Sequence, residues 1–142
     1  MKVAFSTRVG HTASALNELT GRIIGAAVDV HRVLGPGLLE SAYEACLYFE
    51  LVRRGLAVER QKPLPLVYGD VSLDCAYRID LLVEDAVVVE VKSVARLDSV
   101  HEAQLMSYLK LSTKTVGLLL NFNVKLLARD GIKRRVNGFP ER

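Results

Sequence analysis

Cysteine is scarce in this chain of 142 residues, and the two present, Cys46 and Cys75, stand without CxxC or Cys/His spacing. That excludes a disulfide framework and a zinc site, and leaves two thiols expected to lie buried in apolar surroundings. Long hydrophobic runs are missing too: residues 86–89 and 117–120 fall far short of the roughly 20 apolar residues that cross a bilayer, so a soluble protein is expected. After Lys2 only Val3, Ala4 and Phe5 precede Ser6, Thr7 and Arg8, too short for the apolar centre of a secretory signal. The cytoplasm is the expected compartment. Glycine and proline number only ten and four while half the residues are apolar and a quarter charged, which excludes disorder and fibrous repeats. Nor is there a strong charge imbalance: nineteen basic against sixteen acidic residues leave +3, which tolerates a phosphate backbone without demanding one. The length suits one core, and residues 1–142 are read as a single domain.

What is present is periodicity. From Leu16 the apolar positions Leu19, Ile23, Ala26, Val30 and Val33 recur at steps of three and four, an amphipathic helix that Gly35-Pro36-Gly37 must end. A second helix over residues 38–54 has Leu39, Ala42, Tyr43, Cys46 and Leu47 on its apolar face and Arg53-Arg54-Gly55 at its close. The texture then turns to β-branched alternation: residues 64–68, a Gly69-Asp70 turn, residues 71–83, then residues 86–91, an antiparallel three-stranded meander. Asp98 or Ser99 can cap a third helix over residues 100–111, followed by a buried strand over residues 115–121. A final extended pair around Asp130-Gly131 closes an α/β fold with a mixed sheet.

Chemistry concentrates in the strand Val87-Val88-Val89-Glu90-Val91-Lys92, where a carboxylate and an ammonium interrupt an apolar segment and, two residues apart, share a face. The preceding strand carries Asp80 within Ile79-Asp80-Leu81-Leu82. A hairpin loop of odd length, such as Glu84-Asp85-Ala86, sets Val83 opposite Val87 and Asp80 opposite Glu90; a two-residue loop turns Glu90 to the other face. Paired carboxylates repel unless a cation lies between them, and an oxygen-only ligand set suits Mg²⁺ or Mn²⁺ better than Zn²⁺. Taken alone, the pattern fits equally well an ordinary ion pair of Asp80 or Glu90 with Lys92. Gln104 and Tyr108, four apart on the third helix, share a face with His101, as Glu40 and Tyr43 do on the second.

Gly37-x-x-Glu40-x-x-Tyr43, Asp80, Glu90-Val91-Lys92, Gln104-x-x-x-Tyr108 and Leu119-Leu120-Asn121-Phe122, in this order, resemble the GxxExxY proteins of the PD-(D/E)XK nuclease superfamily over residues 16–136. The resemblance implies a restriction-endonuclease-like core, a mixed sheet flanked by helices, in the RecB-like variant marked by the glutamine and tyrosine. It implies that Asp80 and Glu90 bind the metal, that Lys92 is the catalytic lysine, that Glu40 is the helix-borne acid near the metal, and that Gln104 and Tyr108 support the site. The departure is Ile79, where the pattern has proline before the acid. Some RecB-like nucleases use a helix histidine as a metal ligand, which draws attention to His31; packing near a helix end is its simpler role. Tyr43 and Tyr108 are read as supporting walls with satisfied hydroxyls, and Asn121 as holding backbone groups where its strand ends.

The expected activity is therefore a Mg²⁺- or Mn²⁺-dependent nuclease, with DNA ahead of RNA, in which water attacks phosphorus beside the metal. The clusters Arg53, Arg54, Arg60, Lys62 and Lys125, Arg129, Lys133, Arg134, Arg135 would grip the backbone, and a homodimer could pair two sites across a duplex. The alternative is a non-catalytic nucleic-acid-binding or protein-interaction module that retains the fold.

Overall fold

The computed structural model describes residues 11–140, so the reading of the segment from Lys2 to Arg8 lies outside the described residues. Helix α1 (Ala13–Leu34) opens on Thr12, whose Oγ1 accepts the N–H of Ala15 at 3.0 Å, and it ends where Gly35 takes a left-handed φ of 68°. It buries Leu16, Leu19, Ile23, Ala26, Ala27 and Val30. Val33, expected on that stripe, is 83 % exposed, because the 3.6-residue period carries the stripe on to Leu34, which packs against the core. Helix α2 (Glu40–Arg53) buries Tyr43, Leu47 and Leu51 at steps of four, with Glu44 beside them. Cys46 falls off that line and is exposed, as is Cys75, which corrects the expectation of two buried thiols.

The strands follow in the order β1 (Val58–Pro63), β2 (Leu66–Tyr68), β3 (Val71–Leu73), β4 (Arg78–Val83), β5 (Val87–Lys92), β6 (Val116–Asn121) and β7 (Ile132–Val136). Helix α3 (Ser99–Ser112) crosses from β5 to β6, and the short α4 (Leu127–Asp130) precedes β7. Five strands form one sheet in the order β1-β4-β5-β6-β7, and β2-β3 is a separate hairpin. β5 and β6 are parallel, the pairing that a helical crossover permits, while β1-β4, β4-β5 and β6-β7 are antiparallel. The mixed sheet flanked by helices and its antiparallel meander are as expected, but the meander's first strand is β1 and not residues 64–68. Val58-Glu59-Arg60-Gln61-Lys62-Pro63 has no apolar alternation because it is an edge strand, mostly exposed and charged. The expected strand over residues 71–83 is broken by a turn in which Asp74 Oδ1 accepts the N–H of Ala76, itself left-handed at φ 65°. Of the expected closing pair, the first member is α4, since Leu127-Ala128-Arg129 are strong helix formers.

Both faces of the sheet are covered, which is why β5 and β6 read as nearly continuous apolar runs. Val87, Val89, Val91, Leu118 and Leu120 face α1 and α2, whereas Val88 and Leu119 face Leu105, Tyr108 and Leu109 of α3. The β4-β5 hairpin turns through Glu84 and Asp85, left-handed at φ 54° and 52°, and Ala86 donates its N–H to the Val83 carbonyl at 2.9 Å. Ala86 is the additional residue that sets Val83 opposite Val87, the odd loop on which a shared acidic site depends.

The turn into β7 tolerates no side chain. A Cβ on Gly131 would stand 2.4 Å from the Asn121 carbonyl oxygen and 2.7 Å from Leu127 Cδ1, while Asn121 donates its own N–H to the Gly131 carbonyl at 2.8 Å. Gly131→Ala should therefore lower stability by about 1–3 kcal/mol, read as a lower urea midpoint at unchanged slope. Gly117→Ala would meet only the flexible ends of Leu105 and Leu109 and should cost less.

Candidate active site

The site begins where the β4-β5 ladder stops. Regular pairing runs from Val83↔Val87 to Leu81↔Val89, and the rung after it is built from side chains. The backbone N–H of Asp80 donates to Glu90 Oε2 at 3.0 Å, and the N–H of Val91 donates to Asp80 Oδ2 at 2.8 Å. Each carboxylate thus replaces a carbonyl that the opposing strand no longer presents. β4 also switches faces here: Leu81 packs with α1 and α2, while Ile79, two residues away, packs with α3. A regular strand would place both on one side. The result is a fork in the sheet holding Asp80 half-buried and Glu90 buried.

Electrostatics follow from that burial. The Glu90 carboxyl is pushed up to about 8, first by desolvation and then by the charge of Asp80, against the opposing effects of the Asp80 N–H and the Lys92 ammonium. Asp80 is raised as well, again by burial first, with the Glu44 charge adding to it and the Val91 N–H opposing it. Burial, followed by the Glu90 charge, raises the Tyr108 hydroxyl. Two carboxylates held together in this way are a donor set for a hard divalent cation, whose charge would relieve the repulsion. Among the described residues no three Asp, Glu, His or Cys side chains converge, so any remaining ligands would come from water, backbone or substrate oxygens.

Lys92 shares the Glu90 face of β5, and its Nζ donates to Gln104 Oε1 at 3.5 Å. Gln104 Nε2 donates in turn to the Tyr108 hydroxyl at 3.2 Å, one helical turn further along α3. His101, which lines the same side of α3 as Gln104 and Tyr108, also caps the helix: its Nδ1 accepts the N–H of Asp98 at 2.9 Å. Across the fork, Glu40 is the first residue of α2 and its Oε2 accepts the N–H of Ser93 at 3.1 Å, while Ser93 Oγ donates to the Leu38 carbonyl at 2.7 Å. Glu40 therefore ties the helix start to the end of β5 beside Lys92. Tyr43 supports that start, since its hydroxyl accepts the Leu38 N–H and donates to the Gly35 carbonyl, and its ring stacks on Phe122 at 4.6 Å. Gly37, at φ 102°, supplies the left-handed turn.

Sequence reasoning passed over Glu44 and Gln61 and gave Arg60 a different role. Glu44, one turn after Glu40, is buried, and its charge acts on both Asp80 and Glu90. It accepts from Arg60 Nε at 2.8 Å and from Gln61 Nε2 at 2.8 Å, and the same Gln61 nitrogen also donates to Asp80 Oδ1 at 3.2 Å. Gln61 holds a left-handed φ of 54° within the edge strand. The four-residue step from Glu40 was a signal for Glu44; by sequence Arg60 reads only as part of a basic cluster for the phosphate backbone, and nothing in the polar run of β1 marked Gln61. His31 does not join the group: its Nε2 is 2.9 Å from the Val124 carbonyl oxygen, and its ring lies 6.1 Å from that of Phe122. Asn121, opposite Lys92 on β6, holds both the N–H and the carbonyl of Val94.

A mixed sheet forked around two acids, with a lysine two residues beyond the second, defines a restriction-endonuclease-like protein. The sequence model of the PD-(D/E)XK nuclease superfamily matches residues 17–135, and the chain belongs to that superfamily. No curated protein and no solved structure matches it significantly.

The buried pair makes folding pH-dependent in a stated direction. Folded Glu90 keeps its proton up to about pH 8, whereas an unfolded glutamate releases it near 4.5. Between those values the folded chain binds more protons than the unfolded one, so stability falls as pH rises through that window. With a chelator present, the urea midpoint should decline from pH 5 to pH 8. Glu90→Gln should flatten the decline and raise the midpoint at pH 8; an unaltered slope in that variant would assign the titration to another group.

Proposed function

We propose that this protein is a Mg²⁺- or Mn²⁺-dependent nuclease of the GxxExxY type, hydrolysing phosphodiester bonds of DNA. The observation that carries the reading is the fork, where a buried Glu90 raised to about 8 and a half-buried Asp80 meet across a broken ladder with Lys92 on the same face. Burying two carboxylates together is costly for folding alone, and their oxygens suit a hard cation. Such a cation, when bound, supplies Lewis-acid polarisation of the phosphoryl oxygens.

The chain's own groups do the rest. Asp80 and Glu90 are the anchors, oriented by the two backbone N–H bonds at the fork. Lys92, steered by Gln104, brings its ammonium to the charge that develops on phosphate oxygens or to the attacking water. Tyr108 fixes the Gln104 amide. Glu40 positions the end of β5 through Ser93, and Glu44, ion-paired with Arg60 and joined to Asp80 through Gln61, adds a carboxylate beside the pair. The basic clusters contribute less to backbone binding than their number suggests, since Arg53, Arg54, Arg60, Lys62, Arg129 and Arg135 are each paired with a carboxylate. Lys125, Lys133 and Arg134 have no carboxylate partner among the described residues and remain for phosphate contacts.

Thermal unfolding with and without Mn²⁺, followed by incubation with linear single- and double-stranded DNA, tests this. Mn²⁺ at 100 times its Kd should stabilise the wild type by about 2.7 kcal/mol, with most of the gain lost in Asp80→Ala and Glu90→Ala. Lys92→Ala should keep the stabilisation while cleavage falls about 10²- to 10³-fold. A wild type that neither responds to Mn²⁺ nor cuts would leave the non-catalytic module as the better reading.

A further inference from the structure

Next to the acids and lysine, on the α3 side, lies a second feature that the hydrolytic chemistry does not use. A cavity of about 440 Å³ opens between α3 and the segment leading into β4, within the roughly 300–1,000 Å³ typical of small-molecule sites. Leu66, Tyr77 and Leu111 form apolar walls, and Gln104, His101 and Ser107 bring polar groups to the lining. Tyr77 is 41 % exposed and meets Tyr108 edge-on, their ring centroids 6.0 Å apart, so one aromatic face is braced by another ring. The cavity shares Gln104 and Tyr108 with the candidate active site, and Gln104 touches Lys92. Whatever enters it is therefore next to the group that would face the scissile phosphate. Arg78, adjoining Tyr77, donates only to the Tyr77 carbonyl and has no carboxylate partner among the described residues.

We propose that this cavity receives an unstacked base of single-stranded nucleic acid, stacked on Tyr77 and set beside the phosphate that Lys92 faces. The proposal rests on the nuclease reading above and narrows its substrate to unpaired nucleotides. An apolar slot with an aromatic wall and a few hydrogen-bonding edges matches a base, which has π-faces and a polar rim. A base within a duplex cannot enter, because its faces are covered by its neighbours and it must first leave the stack. Arg78 is placed to meet a flanking phosphate.

The chain contains no tryptophan, so Tyr77→Trp creates a single reporter at the mouth of the cavity. With divalent ions chelated to prevent cutting, oligothymidylate should quench its fluorescence, whereas the same strand made abasic, or a blunt duplex, should need at least about tenfold higher concentration. In fluorescence anisotropy with labelled oligothymidylate, Tyr77→Ala should bind about tenfold more weakly and Tyr77→Phe about as well as wild type. Equal binding of the abasic strand or duplex, quenching only by apolar peptides, or full affinity in Tyr77→Ala would overturn the proposal. Metal-dependent cleavage, scored separately, keeps the two readings apart. Cleavage that is lost in Asp80→Ala yet indifferent to Tyr77→Ala and to base removal sinks the cavity proposal alone. Base-dependent quenching without any cleavage upholds the cavity and sinks the hydrolytic reading.

Discussion

The exchange of backbone and carboxylate partners between Asp80 and Glu90 is the constraint around which this structure is arranged. A sheet interior must satisfy its N–H groups, and here two of them are satisfied by acids in place of carbonyls. That substitution lets β4 and β5 separate without leaving orphaned donors, and the gap is what allows charged oxygens to sit in the middle of a domain. Removing either acid would both erase a candidate ligand and leave an N–H without its acceptor. Site and fold are therefore coupled at the same two residues, and burial raises both carboxyls, with the Asp80 charge adding to it at Glu90 and the Glu44 charge adding to it at both.

The surroundings of the fork are arranged to hold this strain. From one side α2 brings Glu40 to the end of β5 and Glu44 to the mouth of the fork, with the Gly35-Pro36-Gly37 turn and the Tyr43 hydroxyl setting where the helix begins. From the other side α3 offers Gln104 and Tyr108 to Lys92. The edge strand β1, the most polar of the sheet, supplies Arg60 and Gln61 to the same group of charges. The hydrophobic effect holds the sheet between its helices, but polar bonds between elements distant in sequence set the alignment at the fork.

How far the sequence was legible varies with the kind of signal. The helices and the strands β5 and β6 were readable because their apolar periods reflect burial directly, whereas parity said only what each hairpin length would do, and the odd loop is seen in the fold. β1 was not readable, since an exposed edge strand carries no apolar alternation; α4 was mistaken for a strand because one helical turn is too short to show a period. Cys46 and Val33 were assigned to buried faces by spacing alone, but the buried line of α1 runs on to Leu34 and that of α2 runs through Tyr43, Leu47 and Leu51, which leaves both exposed. For the site, Asp80, Glu90, Lys92, Gln104 and Tyr108 were singled out in sequence and are brought together, whereas His31 bonds to the Val124 carbonyl instead.

Period and parity are local properties, written into consecutive residues. They were enough to establish an α/β chain with a mixed sheet and a lysine on the same face as Glu90, and to make the meeting of Asp80 and Glu90 depend on one hairpin length, which the fold decides. Which helix acid bears on those two, that Gln61 bridges Glu44 to Asp80, and that a cavity walled by Tyr77 and Tyr108 opens beside Lys92 came from packing between distant segments. Such contacts depend on the angles at which elements meet and on how far each helix is rotated about its axis. Those quantities arise from the sum of many weak contacts across the whole core, so no stretch of sequence carries them on its own.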